Sequence, residues 1–301
     1  MGKIDRYTAQ LEPLLADPAN AAEVERLLLA ESGLPGPRGN LELAEAFARS
    51  VSTTLLPAAW LETLYDWADI DAEQAPTGDP REYLAFCAVV AFGTLYHTHA
   101  CAYPCSVRCD CPHWPVQDQY IVETIRRAAV DPRWRIREAT AMALQHLGEG
   151  DPAALREILA SWLNGPSLLE QRAALAALAH PPLLRTRGMA RFALRAGNAA
   201  LKKLAALPAV LRRGEDFRVL VKGMSYALSV LVASLPEEGF PLLDRWSSYA
   251  ASRGDEVLKR ILEANRGKRR LQALRPQSVS RSAPRRKTSP AGAAARRHPT
   301  G

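Results

Sequence analysis

A cluster of potential metal ligands occupies the middle of the chain, in residues 97–113. It holds His97, His99, Cys101, Cys105, Cys109, Cys111 and His113. Zinc takes four thiolate or imidazole ligands in a tetrahedral array, so these residue types make zinc the one cofactor that the sequence suggests. The spacing lacks the Cys-x2-Cys pair of zinc signatures. It fits equally well a flexible loop with reduced thiols, or a local reading-frame anomaly in a GC-rich coding region.

Carboxylates that could serve acid–base chemistry are present but unpaired in the sequence. Asp118, Asp131 and Glu138 are available, yet no pattern brings two of them together. There is no Gly-x-Ser-x-Gly, no Walker loop, no dinucleotide-binding glycine fingerprint and no His-Glu-x-x-His. The sequence therefore favours a non-catalytic protein that binds a macromolecular partner, with a protein partner expected.

Charge is distributed very unevenly along the 301 residues. The formal net charge is +7, but residues 266–301 contain eleven basic residues and no acidic one. Residues 1–265 consequently carry 28 basic and 32 acidic residues, and residues 1–100 alone carry six basic and fifteen acidic. The basic isoelectric point thus belongs to the C-terminal tail, which is too polar to order itself and can bind DNA, RNA or acidic proteins without sequence preference.

A second basic stretch covers residues 172–222, with eleven basic and two acidic residues. On a concave face such a stretch could follow a phosphate backbone, and otherwise it is a solvated surface. Its candidate DNA- or RNA-binding residues, which begin after Arg172, are Arg185, Arg187, Arg191, Arg195, Lys202, Lys203, Arg212, Arg213, Arg218 and Lys222.

A short Gly/Pro loop precedes residue 41 and offers a candidate partner contact. Asn40 is suited to cap a helix that begins at Leu41, which is a structural role. The functional alternative is that Arg38, held on this loop beside a helix N-terminus, contacts an anion or an acidic partner.

The elements that must position these residues are helices. Apolar residues recur at helical spacing, strand-like alternation is nearly absent, and helices are predicted at 41–50, 119–130 and 133–147 among others. We expect an all-α chain with helical repeats at 1–96, a Cys/His/Pro-rich loop at 97–117, repeats at 118–265 and a disordered basic tail at 266–301. No apolar run reaches the length of a membrane span and no signal peptide begins the chain, so a cytoplasmic location without membrane contact is expected.

Repeats are visible in the second half of the chain. Residues 131–144, Asp-Pro-Arg-Trp-Arg-Ile-Arg-Glu-Ala-Thr-Ala-Met-Ala-Leu, are echoed at 168–178, which places Arg172 35 residues after Arg137. The segment resembles HEAT-type repeats, whose period is about 40. The resemblance implies a right-handed α-α superhelix of the HEAT-like or armadillo type. Residues 34–44 also look like a loop of bacterial HEAT-like proteins.

Two further segments resemble the HEAT-like alkylpurine DNA glycosylases. Lys222-Gly-Met-Ser-Tyr226-Ala-Leu-Ser is similar to a late helix of that family, although Tyr226 stands in place of a Trp. Trp134-x-x-Arg137 is similar to its Trp-x-x-Arg-Arg segment, and Trp114 and Asp118 have the spacing of its Trp/Asp pair. The resemblance implies, as the alternative function, DNA binding or removal of alkylated bases, with these five residues around the cleft.

Overall fold

The computed structural model of the chain describes residues 2–53, 57–96 and 114–274, the side chains of residues 58 and 114–117 excepted. All regular structure in these ranges is helical. The α-helices are α1 (Lys3–Leu15), α2 (Ala21–Ala30), α3 (Leu41–Thr53), α4 (Ala58–Ala68), α5 (Glu82–Leu95), α6 (Trp114–Ala129), α7 (Trp134–Gly150), α8 (Pro152–Asn164), α9 (Leu168–Leu178), α10 (Arg187–Ala206), α11 (Glu215–Ser234), α12 (Pro236–Arg253), α13 (Glu256–Arg266) and α14 (Arg269–Gln272). Short 3₁₀ helices lie at Pro18–Asn20, Pro181–Arg185 and Leu211–Arg213.

Helices that alternate along the chain pack into a continuous row. The odd-numbered helices α1 to α13 form this row, in which each helix contacts the next odd-numbered one. From α6 to α12, the even-numbered helices lie against both odd-numbered helices that flank them in sequence, and α4 lies against α5. Each helical hairpin thereby buries its apolar face against its neighbours, and one apolar core runs from Tyr7 to Leu271.

The closest packing in the row is between α5 and α7. Cys87 sits inside an apolar helical segment of the sequence, which predicts a core position for it. α5 is buried along nearly its whole length, Cys87 included, which confirms this prediction. Gly93 on α5 lies directly against the backbone of Ala143 on α7, where a β-carbon would overlap it. The lack of a side chain at Gly93 is therefore what lets the two helices approach.

Several boundaries differ from the sequence expectation. α6 begins at Trp114, inside the segment predicted to be an irregular loop. The region after residue 180 is not one continuous helix. The 3₁₀ helix Pro181–Arg185 ends before Thr186, which caps α10 by accepting a hydrogen bond from the Met189 N–H. Ordered helix also continues past residue 265 to α14, within the predicted tail. The rest of that tail, from residue 275, lies outside the described residues.

One described helix, α11, is long and apolar enough to cross a membrane by length and composition. Half of its most apolar window is buried inside the protein, where α11 packs against α9, α10 and α13. Such burial is typical of the central helix of a folded helical protein.

A hydrogen bond between α3 and α7 makes the folded state sensitive to acid. His146 Nε2 lies 3.0 Å from Glu45 Oε2, and Arg49 Nε donates to Glu45 Oε1 at 2.7 Å. The hydrogen bond to His146 is the main cause that holds the pKa of Glu45 at about 2. A carboxylate with a depressed pKa stabilises the folded state above its unfolded pKa and loses this contribution as pH falls towards the folded value.

We therefore expect Glu45→Gln to lower the free energy of unfolding by about 1 to 2 kcal/mol at pH 6. The difference from the unmodified protein should shrink as pH falls from about 4.5 to 2, because protonation then removes the same interaction. Urea unfolding at a series of pH values measures it. Glu42→Gln, an exposed change on the same helix, is the control and should have no such pH dependence. A constant difference across this range would contradict the assignment.

Candidate binding cleft

A cleft of about 760 Å³ opens on the row of odd-numbered helices. Its wall combines the loop before α3 with side chains from α5, α7, α9 and α11. The apolar part of the lining includes Phe86, Ala141, Met142, Ala176 and Val219. Residues from widely separated parts of the sequence therefore meet in one concavity.

The polar lining of the cleft is strongly cationic. Its five basic side chains are Arg38, Arg135, Arg137, Arg172 and Lys222. Glu138 is the only carboxylate among the described residues that line it. Within a concave, largely apolar wall, this imbalance favours an anionic ligand.

Two of these arginines, Arg137 and Arg172, donate hydrogen bonds to backbone carbonyl groups of residues 131–137. Arg137 Nη1 donates to the carbonyl oxygens of Asp131 at 2.6 Å and Pro132 at 2.9 Å. Arg172 Nη1 donates to the Arg137 carbonyl at 3.1 Å, and its Nη2 donates to Glu138 Oε1. Arg172 thus contacts the backbone of Arg137, and hydrogen bonds to backbone carbonyl groups hold both guanidinium groups.

Arg135 lines the cleft and also contacts a buried carboxylate of the protein interior. Its Nη1 donates to Glu82 Oε2 at 3.0 Å, and its Nη2 donates to the Gly36 carbonyl. Its guanidinium also lies 4.6 Å from the centre of the Trp134 ring. Arg135 therefore fixes both the Gly/Pro loop and the indole of Trp134.

The Gly/Pro loop is anchored from both sides. Asn40 Oδ1 accepts from the Leu43 N–H at 3.1 Å, which confirms its predicted role as a helix cap. The Asn40 amide donates to Tyr7 Oη and to the Glu31 carbonyl, so its side chain is used in the fold. Burial raises the pKa of Tyr83, whose phenol donates to the Asn40 carbonyl. The exposed members of the loop that line the cleft are Pro37 and Arg38, and Arg38 is the charged one.

Arg38 and Lys222 are the two cleft cations whose charge is available to a ligand. Both are exposed, and neither has an acidic partner in the part of the chain that the structure describes. They come from different elements, the loop before α3 and helix α11. An anionic ligand that spans the cleft can therefore contact both.

Two large aromatic side chains lie exposed on the cleft lining. Trp134 is 42% exposed and Tyr226 is 50% exposed. Arg270 lies 4.8 Å from the centre of the Tyr226 ring and donates to its hydroxyl at 2.8 Å, and Lys268 lies 5.6 Å from that centre. Exposed rings beside cations are suited to stack on a flat, electron-rich group.

Most of the basic stretch at 172–222 lies elsewhere. Arg185, Arg187, Arg191, Arg195, Lys202, Lys203, Arg212, Arg213 and Arg218 belong to α10, to the 3₁₀ helices beside it or to the start of α11, and none of them lines the cleft.

Several of these cations already have partners within the fold. Arg191 pairs with Glu238 at 2.8 Å, and Arg187 reaches the same carboxylate. Arg212 pairs with Asp255 at 2.8 Å. Lys203 donates to the Gly165 carbonyl, and burial lowers its pKa. Of the predicted nucleic-acid contacts, only Lys222 reaches the cleft.

The candidates suggested by the glycosylase resemblance are divided. Trp134, Arg137 and Tyr226 line the cleft, whereas Asp118 is buried on α6 and is not part of the lining. The side chain of Trp114 lies outside the described residues, as do Cys101, Cys105, Cys109, Cys111 and His113. No group of three potential metal ligands occurs in the ranges that are described.

Glu138 and Arg172 are cleft residues that the sequence offered only as an available carboxylate and as the first cation of the basic stretch, without assigning either to a cleft. A signal for Glu138 exists, because it follows Trp134 by four residues and therefore lies on the same face of α7.

Neither a family model, nor a curated protein, nor a solved structure matches the chain.

Proposed function

We propose that this chain is a non-catalytic HEAT-like solenoid that binds a single strand of nucleic acid in the cleft. The observation that carries the proposal is the meeting of five cationic side chains and two exposed aromatic rings in one concavity. The aromatics and cations come from four separate parts of the chain, so neighbouring positions in sequence do not account for their meeting.

The solenoid part rests on the packing of alternate helices and on the repeat signal. Arg137 and Arg172 occupy equivalent repeat positions, and they are in contact on neighbouring helices. Stacked hairpins of this kind build a continuous inner layer that is suited to an extended partner. A right-handed superhelix is the arrangement that we propose for them.

Phosphate groups are the anions that best suit the cationic lining. Arginine guanidinium groups bind phosphate oxygens with two parallel hydrogen bonds, and lysine adds a point charge. Arg38 and Lys222, from the loop before α3 and from α11, give such a ligand two contacts from separate elements.

The aromatic rings favour an unpaired strand over a duplex. Bases of a duplex are stacked on each other, whereas single-strand binders offer side-chain rings on which free bases stack. Trp134 and Tyr226 are exposed enough to do so, with 42% and 50% of their surface open. An acidic peptide would satisfy the cations but would leave the stacking surfaces unused.

The test is fluorescence anisotropy of the full chain with a labelled 12-nucleotide strand, as DNA and as RNA, over a range of salt concentrations. We expect Arg38→Glu combined with Lys222→Glu to weaken binding at least about tenfold. Loss of two phosphate contacts should also lower the slope of log affinity against log salt by about 1.4.

The matched control is Arg195→Glu combined with Lys202→Glu, which reverses two exposed charges on α10 outside the cleft. These changes should leave affinity within about twofold, since only long-range screened charge is altered. A full chain in which the seven basic residues after Leu274 become Ser removes the positive charge of residues 275–301. The proposal fails if binding depends on the tail or on α10 and not on the cleft.

A DNA glycosylase of the alkylpurine type is the second candidate. It is favoured by the position of Trp134, Arg137 and Tyr226 in the cleft lining. The position of Asp118 away from the lining argues against the implied acid–base role. Incubation with methylated duplex DNA measures free-base release, and we expect none. Release that is lost in Trp134→Ala would replace the binding function with this one.

A further inference from the structure

The cleft contains one acidic side chain in an otherwise cationic lining, and a phosphate-binding surface gains nothing from it. Glu138 is 45% exposed at its side chain. Its Oε1 accepts from Arg172 Nη2, while its Oε2 has no hydrogen-bond partner in the described parts of the chain. A carboxylate only accepts hydrogen bonds and offers about four lone-pair sites. Glu138 therefore retains free acceptor capacity toward the cleft.

Glu138 lies beside a ring on which a base can stack. Trp134 and Glu138 are four residues apart on α7, which places them one above the other on the same helix face. Arg135 holds the indole from one side, and the ring remains 42% exposed. A base stacked on Trp134 would bring its edge within reach of the carboxylate.

The bases differ in what they offer to a carboxylate. The Watson–Crick edge of guanine presents two adjacent donors, N1–H and N2–H, which match the two oxygens of a carboxylate. Thymine and uracil present a single N–H between two carbonyl oxygens. Adenine and cytosine present an amino group next to a ring nitrogen that repels the second oxygen. Single-strand readers distinguish bases by hydrogen bonds to this edge.

We propose that Glu138 is a specificity-determining residue that selects guanine, with its carboxylate accepting hydrogen bonds from N1–H and N2–H of a base stacked on Trp134. This inference rests on the proposed function of the cleft. Arg172 acts as a positioning residue, because it is itself fixed by the Arg137 carbonyl at 3.1 Å and holds one carboxylate oxygen in place.

The experiment compares three labelled strands by anisotropy with the full chain. They are a 12-nucleotide strand of thymidine, the same strand with two central guanines, and the same strand with two central inosines, which lack the N2 amino group. The unmodified protein should bind the guanine strand about tenfold more tightly than the thymidine strand, the lower range for a bidentate base contact. Inosine should remove most of that preference.

Glu138→Gln separates base recognition from general electrostatics. It removes a negative charge from a cationic cleft, so binding of all three strands should become tighter. The amide has one acceptor and one donor, so the guanine preference should fall below about twofold. Glu149→Gln, on the same helix but outside the cleft, should leave the preference unchanged. Thermal unfolding of each variant checks the fold.

Each outcome is decisive. Equal binding of guanine and thymidine strands by the unmodified protein overturns the selectivity but leaves the strand-binding function standing. A guanine preference that persists in Glu138→Gln assigns the recognition to another residue and overturns the inference. Absence of binding to all three strands removes the proposed function, and the inference with it.

Discussion

Replacement of Arg133 by Met is expected to lower the free energy of unfolding by about 3 to 5 kcal/mol. Arg133 is 2% exposed and pairs with both carboxylate oxygens of Asp131, at 2.9 and 2.8 Å. It also donates to the carbonyl oxygens of Ile70 at 2.8 Å and of Asp71 and Ala75 at 3.1 Å. Its removal takes the side-chain donor from a carboxylate and from three carbonyl groups in a water-poor site. Asp131 Oδ1 keeps its bond from the backbone N–H of residue 133, and the Asp71 carbonyl keeps that from the Ala75 N–H, so Asp131 Oδ2 and the carbonyl groups of Ile70 and Ala75 are most affected.

The size of the effect follows from the number of groups that lose a partner. A buried acceptor without its donor bears the full cost of its desolvation, and the cost is larger for a charged group. Methionine keeps most of the volume of the side chain, so the change tests the polar contacts more than the packing. Arg133→Lys should recover only part of the loss, because one ammonium group cannot serve four acceptor groups in this geometry.

Urea unfolding at neutral pH measures the difference. Arg156→Met is the matched control, because Arg156 is exposed on α8 and makes no side-chain hydrogen bond or ion pair with the described residues. Its change in the free energy of unfolding should lie within about 0.5 kcal/mol of zero. A loss below about 1 kcal/mol for Arg133→Met would show that the site tolerates water, and would contradict the structural role given to Arg133.

Local features of the fold could be predicted from the sequence. Asn40 caps α3, and Cys87 is buried in α5, as the residue types and their apolar neighbours indicate. Helical periodicity also predicted an all-α chain, which the described residues confirm. These predictions succeed because each depends on residues within one or two turns of each other.

The composition of the cleft could not be predicted in the same way. Arg38, Trp134, Arg172 and Lys222 meet only when four odd-numbered helices and the loop before α3 pack side by side. Their contacts are fixed by tertiary packing, which leaves no mark on sequence spacing. The repeat signal came closest, because it related Arg137 to Arg172 before their contact was known.

The basic stretch at 172–222 shows how a charge count misleads. It sums cations over a helix without regard to the face on which each lies. α10 lies outside the cleft, and its Arg191 is paired with Glu238, a residue 47 positions away that no local count includes. Only the packing of the neighbouring helices shows which face of α11 lines the cleft. That face carries Lys222, and the other cations that follow Arg172 in the stretch lie away from it.

Substitution of Gly93 by Ala is expected to destabilise the chain by about 2 to 3 kcal/mol, although alanine is the better helix former. The new β-carbon would overlap the carbonyl and the Cα of Ala143, which are backbone atoms and cannot rotate away. α5 and α7 must then separate, and the core between them loses contact along its length.

Gly188→Ala provides the matched control for the same chemical change. Gly188 lies in the first turn of α10, and nothing lies within 4 Å of the position that its β-carbon would take. Its substitution should be neutral or stabilising by up to about 1 kcal/mol. Thermal and urea unfolding of the two variants measure the contrast. Equal effects at the two glycines would contradict the close approach of α5 and α7.

The same substitution is also expected to weaken ligand binding. α5 carries Phe86 and α7 carries Trp134, both of which line the cleft, so a shift of the two helices changes the spacing of lining residues. Anisotropy with the 12-nucleotide strand, at a temperature where Gly93→Ala is still folded, should give a loss of about threefold to tenfold. Unchanged affinity in a destabilised Gly93→Ala would mean that the ligand does not contact lining residues of both helices. Such a result would argue against a strand that spans from Arg38 to Lys222.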